Sequence, residues 1–542
     1  MIQSLTPQQI AWVDQTLSTL SMEACVAQLL NVSQPMDTAT WLEFLKKVPV
    51  GALSARVPSA QAYRSLLAKL NAASPVPLLV IANMEHGAAE IPGYGTDFPS
   101  LMAAGAANDP DLVALLGKAT ASEARHIGVN WVLTPDIDLN YNFDNPVTNT
   151  RAIGDRPELV ATLGTALIQA LQANGVAATA KHFPGDGMDS RDQHLVTTVN
   201  NLPFEQWMAT FGHVWQSAIN AGVWTIMPGH ISLPAYQGFF ANPEDAPPAT
   251  IARELLETLL RQELGFAGLI VSDATGMIGF ASRLAPAERA VAAINAGIDL
   301  YLGANPEVDY PALLAAVQEG RLSEERVQAA ARRVLELKAR LHLAEAFFGP
   351  APTAAESAAF ADAAQTMAEK SITLVRNGGR HPLQLAAGAK VLTVTIMPTN
   401  TMIPHPDLTV FDEELQARGY QVEHLLNPRS DELRTKAQEH DVVFINVNVG
   451  PMMTLGSIRV AIGSFGHWGW RALFTEHPQV VYTSFGTPYL TFELPHAPTL
   501  ALAYGGNPMA QRAAVKFWLG EIPAQGTLPV RLPQVTIQPL AR

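Results

Sequence analysis

The sequence predicts an α/β protein, a (β/α)8 barrel of the TIM type followed by an αβα sandwich domain, and three observations carry that expectation. The first is a series of short runs rich in Val, Ile and Leu with helical patterns between them: Gln28–Val32, Gly51–Arg56, Leu78–Asn83, Trp131–Asp136, Ala177–His182, Trp224–Gly229, Leu269–Ala274 and Ile298–Gly303. They are too uniformly apolar to alternate, as parallel strands covered on both faces are, and strand-helix repetition implies a parallel sheet. The second is the recurrence of polar residues just after these runs: Asn83 and Glu85, Asp136 and Asp138, Lys181 and His182, His230, Asp273. Polar groups at many strand tips belong to the ligand-facing rim of a barrel, which favours it over a doubly wound sheet. The third is a Gly/Pro-rich linker, Phe348-Gly349-Pro350-Ala351-Pro352-Thr353, after which a new set of strand-like runs begins.

Taken in order, the chain opens with a helix over about residues 7–31 and alternates strand and helix up to Gly303. The helices include Asp109–Ile127, Pro157–Asn174, Pro203–Ala221 and Ala285–Ala296. The barrel closes with Ser323–Phe347, where Ser323 is placed to N-cap, Glu324 and Glu325 suit the first turn, and Val327, Ala330, Ala331, Val334, Leu335, Lys338 and Leu341 recur at helical spacing. The predicted domains are 1–347 for the barrel, 348–370 for the linker and a lead-in helix, and 371–542 for the sandwich. The sandwich strands are expected at Ile372–Asn377, Val391–Met397, Gln421–Leu426, Val442–Val449, Val480–Phe485, Leu500–Tyr504 and Leu528–Leu532. Residues 441–466, with Gly450-Pro451-Met452-Met453, are placed to lend a loop to the barrel mouth or to pack.

Composition excludes several classes of function. Acidic residues outnumber basic ones 49 to 35, giving a net charge of −14 that argues against nucleic acid or anionic lipid as a partner. No stretch approaches the ~20 apolar residues of a membrane span. The N-terminus (Met1-Ile2-Gln3-Ser4-Leu5-Thr6-Pro7) has no basic region followed by an apolar one, so a cytoplasmic location is expected. The lone Cys25 rules out an internal disulfide, and its setting among Met22–Leu30 reads as a packed core thiol. Nothing in the sequence specifies an oligomeric state.

Two stretches carry chemistry. In Gly265-Phe266-Ala267-Gly268-Leu269-Ile270-Val271-Ser272-Asp273-Ala274 a strand ends in an acid, which could attack a carbon bearing a leaving group or steady a cation. Alone, Ser272-Asp273 reads more readily as a helix N-cap pair. In Asp192-Gln193-His194 a carboxylate two residues before an imidazole could orient it and raise its pKa, keeping a proton ready near neutral pH. A zinc site of His182, His194 and Asp192 matches no standard ligand spacing. There is no Gly-x-Ser-x-Gly, and Gly93-Tyr94-Gly95 lacks the rest of a phosphate-cradling pattern, so the reading calls for no metal and no cofactor.

Together these stretches resemble glycoside hydrolase family 3, in its β-N-acetylglucosaminidase branch, over nearly the whole chain. The resemblance runs through Thr96-Asp97-Phe98-Pro99-Ser100, Pro135-Asp136-Ile137-Asp138, Asn145-Pro146-Val147 with Arg151-Ala152-Ile153-Gly154, Lys181-His182-Phe183-Pro184-Gly185, the Asp273 strand, the closing helix and Leu528-Pro529-Val530. Lys-His-Phe-Pro-Gly with a downstream Asp-x-His marks this branch.

The resemblance implies a retaining exo-glycosidase acting on a small oligosaccharide or glycoside, with Asp273 as nucleophile, His194 as acid/base and Asp192 as its partner. Arg151, Lys181, His182, Asn83 and His230 would line the sugar subsite, His230 either touching the sugar or supporting those that do. Two departures stand out. Asn83-Met84-Glu85-His86-Gly87-Ala88 replaces the family's Asp-x-Glu-Gly-Gly-Arg, so a charge-assisted bond to the sugar becomes an amide contact. Asp186 stands where the family has His. Phosphorolysis and β-glucoside cleavage remain open on the same machinery, as does a non-catalytic carbohydrate-binding role.

Overall fold

The computed structural model describes residues 2–55, 58–398, 405–451, 453–454 and 467–533. Much of the loop expected between 441 and 466 lies outside the described residues, as does Arg56. Two compact units divide the chain: Met1–Asp97 with Pro110–Leu139 and Val160–Ala361, and Phe98–Asp109 with Asn140–Leu159 and Asp362–Arg542. They are therefore not the two consecutive stretches that the linker at 348–353 suggests. Two excursions from the N-terminal half belong to the second unit.

Among the described residues the first unit holds nine short strands: β1 (Asn31–Val32), β2 (Ala52–Leu53), β3 (Leu79–Ala82), β4 (Trp131–Val132), β5 (Thr179–Phe183), β6 (Thr198–Val199), β7 (Thr225–Pro228), β8 (Ile231–Ser232) and β9 (Leu269–Ile270). β1 to β4 pair in sequence order, β5, β7 and β9 form a second sheet, and every pairing is parallel. Parallel bridges join Trp131 to Ala177, Val271 to Leu300, and Leu30 to Tyr301. The circuit of eight segments thus returns to its starting strand. One core cluster joins Ala52, Leu79, Ile81, Trp131, Leu133, Ala177, Met227, Leu269, Val271, Leu300 and Leu302 of these segments to Val334 and Leu337 of the helix Glu324–Arg340 and to Leu341 at its C-cap. A polar knot sits among them: Trp131 Nε1 donates to Thr179 Oγ1 (2.8 Å) and Thr225 Oγ1 (3.1 Å).

The strands are shorter than the apolar runs that predict them, because tilt and twist let neighbours keep register over only a few residues. The first run is split: Gln28 ends the helix Met22–Gln28, and pairing starts at Leu30. The predicted N-terminal helix is likewise two, Pro7–Thr19 and Met22–Gln28, the second capped by Ser21, which accepts from Ala24 N. Asp299, fully buried, is held by Arg261 (2.6 Å), Arg326 (3.1 Å) and Arg333 (3.0 Å). Cys25 is buried, and burial pushes its thiol pKa up, in keeping with a core role.

The second unit is built on β10 (Thr373–Arg376), β11 (Lys390–Ile396), β12 (Gln421–Leu426), β13 (Val442–Val447), β14 (Val480–Ser484) and β15 (Leu500–Leu502), in the order β10-β15-β14-β13-β11-β12. Only β10 is antiparallel. Alternate residues of β11 and β13 feed two cores. Leu392, Val394, Val443 and Ile445 pack with Leu433, Ala437, Met102 and Ala106, whereas Val391, Val442 and Phe444 pack with Phe411, Leu415, Phe517 and Trp518. Both faces of the sheet are covered by helices, hence the near-continuous apolar runs. Leu528–Leu532, read as a strand, is not one: Pro529 O accepts from Asp155 N (3.1 Å) and Arg531 N donates to Asp155 Oδ2 (2.7 Å), which takes these backbone groups out of any ladder. Among the described residues no helix is long and apolar enough to cross a membrane.

Candidate active site

The polar strand-tip residues of the first unit meet. Lys181 and His182 occupy the middle of β5 and have different partners. The Lys181 ammonium, 3% exposed, pairs with Glu85 Oε1 at 2.7 Å. His182 Nδ1 lies 2.7 Å from Asp138 Oδ2, while Asp138 Oδ1 accepts from the backbone N–H of His182 (3.2 Å) and of Asp186 (2.7 Å). An ionised carboxylate accepts only, so Nδ1 carries the proton and Nε2 is left as the second functional edge of the ring. Asp136, Asp138 and His182 could in principle hold a cation, their ligand atoms lying within 4.8 Å of one another. The donor set fits hydrogen bonding better, since both oxygens of Asp138 already take N–H donors. The zinc trio considered from the sequence is not gathered: His182 turns to Asp138 and His194 to Asp192.

Asp273 follows β9 and is 8% exposed, with Oδ1 accepting from Ala274 N at 2.7 Å. It caps no helix: the next helices start at Ile278 and Pro286, with Met277 and Ala285 at their N-caps, so the capping reading fails. Burial alone would raise its carboxyl, but the neighbouring imidazoles of His182, His230 and His194 and the Ala274 N–H hold it below the ordinary aspartate value. The group is therefore an anion at neutral pH.

Asp192 and His194 sit on one turn. Asp192 Oδ1 accepts from both His194 N and Nδ1, each at 2.7 Å, and Asp192 O accepts from the N–H groups of Leu195 and Val196. The carboxylate is buried while the imidazole is 23% exposed. The ring thus presents Nε2 towards solvent with its tautomer set from behind.

For His230 the sequence reading left direct sugar contact and support of other ligands both open. Nδ1 meets Thr250 Oγ1 (2.8 Å) and Nε2 meets the Ala274 carbonyl (3.1 Å), so both ring nitrogens are engaged by protein. Burial pushes its pKa below the ordinary histidine value. It braces the residue after Asp273, stacked on Phe280 with centroids 5.3 Å apart. Asn83 is exposed just past β3. Arg151 belongs to the second unit, where Nη1 lies 3.4 Å from Val147 O and 3.8 Å from Met453 Sδ.

Some contributors carry no sequence signal. Thr250, in the short 3-10 helix Ala249–Ile251, and Gly279, in the helix Ile278–Ala281, are of residue types that point to no chemistry. Asp138, Glu85 and Asp186 are visible as polar residues near strand tips, but their partners are not.

The description of the glycosyl hydrolase family 3 N-terminal domain matches residues 21–337. The chain belongs to glycosyl hydrolase family 3. A β-N-acetylglucosaminidase/β-glucosidase of Cellulomonas fimi is 34% identical over 97% of this chain and 96% of its own. A β-hexosaminidase of Xanthomonas euvesicatoria is also 34% identical, over 45% of this chain and 72% of its own. Among solved structures, the β-glucoside phosphorylase BglX bound to 2FGlc superposes with a TM-score of 0.88 at 29% identity, covering 97% of both chains. A family 3 β-N-acetylglucosaminidase from Paenibacillus sp. str. FPU-7 reaches 0.84 at 29% identity, over 96% of this chain and all of that one.

Proposed function

We propose that this family 3 protein is a retaining, exo-acting β-glycosidase that removes non-reducing terminal N-acetylglucosamine from cell-wall or chitin-derived glycans without a cofactor. The observation that carries the reading is the pairing of a buried, anionic Asp273 with the Asp192–His194 dyad on a neighbouring loop of the same unit. On this reading the circuit of eight strand segments is a (β/α)8 barrel with its chemistry at the strand tips, and the second unit is an αβα sandwich.

In the first step an Asp273 oxygen attacks the anomeric carbon as the bond from that carbon to the leaving oxygen breaks. His194 Nε2 gives its proton to that oxygen, and a glycosyl-aspartate ester forms. In the second step His194 takes a proton from water, the water oxygen bonds to the anomeric carbon, and the ester bond breaks to return Asp273 as a carboxylate. Asp192 keeps Nδ1 protonated throughout, so the exchanging proton is the one on Nε2. Lys181, pinned by Glu85, donates to a sugar hydroxyl from a fixed position, and His182, its Nδ1 pinned by Asp138, meets another at Nε2.

A second reading is phosphorolysis. After the first step the acid/base group is a neutral imidazole, which does not repel an anionic acceptor as a carboxylate would. The structural likeness to a β-glucoside phosphorylase supports keeping it in the test.

The test is turnover of 4-nitrophenyl β-N-acetylglucosaminide and β-glucoside, each with and without inorganic phosphate, with the sugar product identified. Free sugar in both buffers supports hydrolysis; a sugar 1-phosphate formed only with phosphate replaces it. Asp273→Ala should abolish turnover, and a 2-fluoro sugar should label Asp273 in the wild type. Binding without turnover by the wild type would leave a carbohydrate-binding role.

A further inference from the structure

The dyad rides a loop between β5 and β6, and a glycine-containing acidic loop in sequence suggests a flap that closes on substrate. The contacts of Asp186 and Gln193 give that loop a different character. The turn leaving β5 is rigid: Pro184 O accepts from Trp207 Nε1 (2.9 Å) and Trp215 Nε1 (3.1 Å), and Gly185 at φ +132° has the Phe211 ring where a Cβ would be. Asp186, 2% exposed, is fixed on this turn by its N–H to Asp138 and accepts at Oδ2 from Gln193 Nε2 at 3.0 Å. The other end of the same amide, Gln193 Oε1, accepts from His230 N at 2.9 Å. Gln193 is 1% exposed and stands between the two members of the dyad.

The outer side of the turn is held by the segment that follows Asp273. Ile278 N donates to the His194 carbonyl (2.8 Å) and Thr197 Oγ1 to the Gly279 carbonyl (2.6 Å). A Cβ on Gly279 would lie 2.4 Å from Gln193 O and 2.5 Å from Val196 O.

We infer that Asp186 and Gln193 are positioning residues for the acid/base: the Asp186 carboxylate, acting through the Gln193 amide, fixes the height and direction of His194 over the anomeric centre, so that the dyad is assembled before substrate arrives. Neither residue need touch substrate, since both are buried beneath the turn. The inference rests on the proposed role of His194. Position 186 must present an acceptor to the Gln193 N–H donor while Gln193 Oε1 receives His230 N, and the Asp186 carboxylate does so.

The experiment compares kcat/KM on 2,4-dinitrophenyl β-N-acetylglucosaminide, whose leaving group needs no proton, with that on the phenyl glycoside, whose leaving group does. The comparison is repeated with glucosides if those are the sugars turned over. Gln193→Ala and Asp186→Ala should each lose about ten- to a hundredfold on the phenyl substrate and less than threefold on the dinitrophenyl one, a fraction of what general acid catalysis supplies. The reciprocal swap Asp186→Asn with Gln193→Glu rebuilds the same contact with its polarity reversed. It should recover most of the phenyl activity, whereas Gln193→Glu alone sets two carboxylates together and should not. A role confined to stability would lower the melting temperature without separating the two substrates, and the swap decides if a single variant fails to fold. Equal losses on both substrates in Gln193→Ala, alongside a selective loss in His194→Ala, overturn the positioning role and leave the acid/base reading intact. Equal losses in His194→Ala overturn that reading and this inference with it.

Discussion

At Lys181 a side chain read as a sugar ligand turns out to be one half of a buried ion pair. Its ammonium is 3% exposed and its partner Glu85 12%, so water screens neither charge well. Removing one member strands the other, which costs about 3 kcal/mol or more, whereas removing both is much milder. Glu85→Ala should therefore lower the denaturation free energy by about that amount, and Glu85→Gln with Lys181→Met should restore much of it. Urea melts of the three proteins check this, and a double variant no more stable than Glu85→Ala would show that the pair does not interact. Asp273 supports a prediction of a different kind. Its folded-state pKa lies below the ordinary aspartate value, so the carboxylate persists above that value and is lost only as pH falls through the lower one. With His194→Ala removing the dyad's titration, kcat/KM on the dinitrophenyl glycoside should show no acid limb above about pH 4. An acid limb near pH 5 or 6 would place a raised carboxyl at the nucleophile.

The closing helix Glu324–Arg340 carries the clearest lesson at the scale of one element. Its apolar face was legible as a periodic stripe that includes Lys338, and a lysine on such a stripe ordinarily bends its ammonium out to water. Here it cannot. Lys338 is fully buried, its Nζ 2.6 Å from Gln28 Oε1, and burial pushes its pKa down to about 7. The unfolded chain holds that proton up to the ordinary lysine pKa, so between about pH 7 and 10 it binds more protons than the folded one. Stability must rise with pH across that window on account of this group, and the cost is complete below it. Lys338→Met should remove the cost and flatten the dependence. Denaturant midpoints of wild type and variant from pH 7 to 9.5 should converge as pH rises, the variant being the more stable at pH 7. Parallel curves would mean that Lys338 is charged or neutral throughout. The acid/base turn shows the converse case, in which an acidic, glycine-bearing segment reads as mobile until Gln193, Ile278 and Thr197 are seen to tie it on both sides.

Across the whole molecule the two units are interleaved, and stability should reflect that. Met102, Ala103 and Ala106 share a core with Leu392, Val394 and Ile445 of the second unit, although more than 200 residues precede the linker between them and those strands. A chain cut to residues 1–347 would leave Phe98–Asp109 and Asn140–Leu159 without the residues they pack on. That fragment should bind a hydrophobic dye and aggregate, and co-expression with residues 348–542 should rescue it; a monomeric, dye-silent fragment would contradict the division. Strand-helix alternation, the polar residue at each strand tip and the family motifs were all local patterns, readable because burial on both faces leaves a continuous apolar run and catalysis needs particular atoms at its ends. Which carboxylate serves which imidazole was not local. Asp138 lies 44 residues from His182, Glu85 lies 96 from Lys181, and Thr250 lies 20 from His230. Those distances in chain become 2.7 to 2.8 Å in space only when the strand circuit closes. Closure is therefore what brings both ring nitrogens of His230 to protein partners, buries Lys338, and ties the loop that carries His194 on both sides.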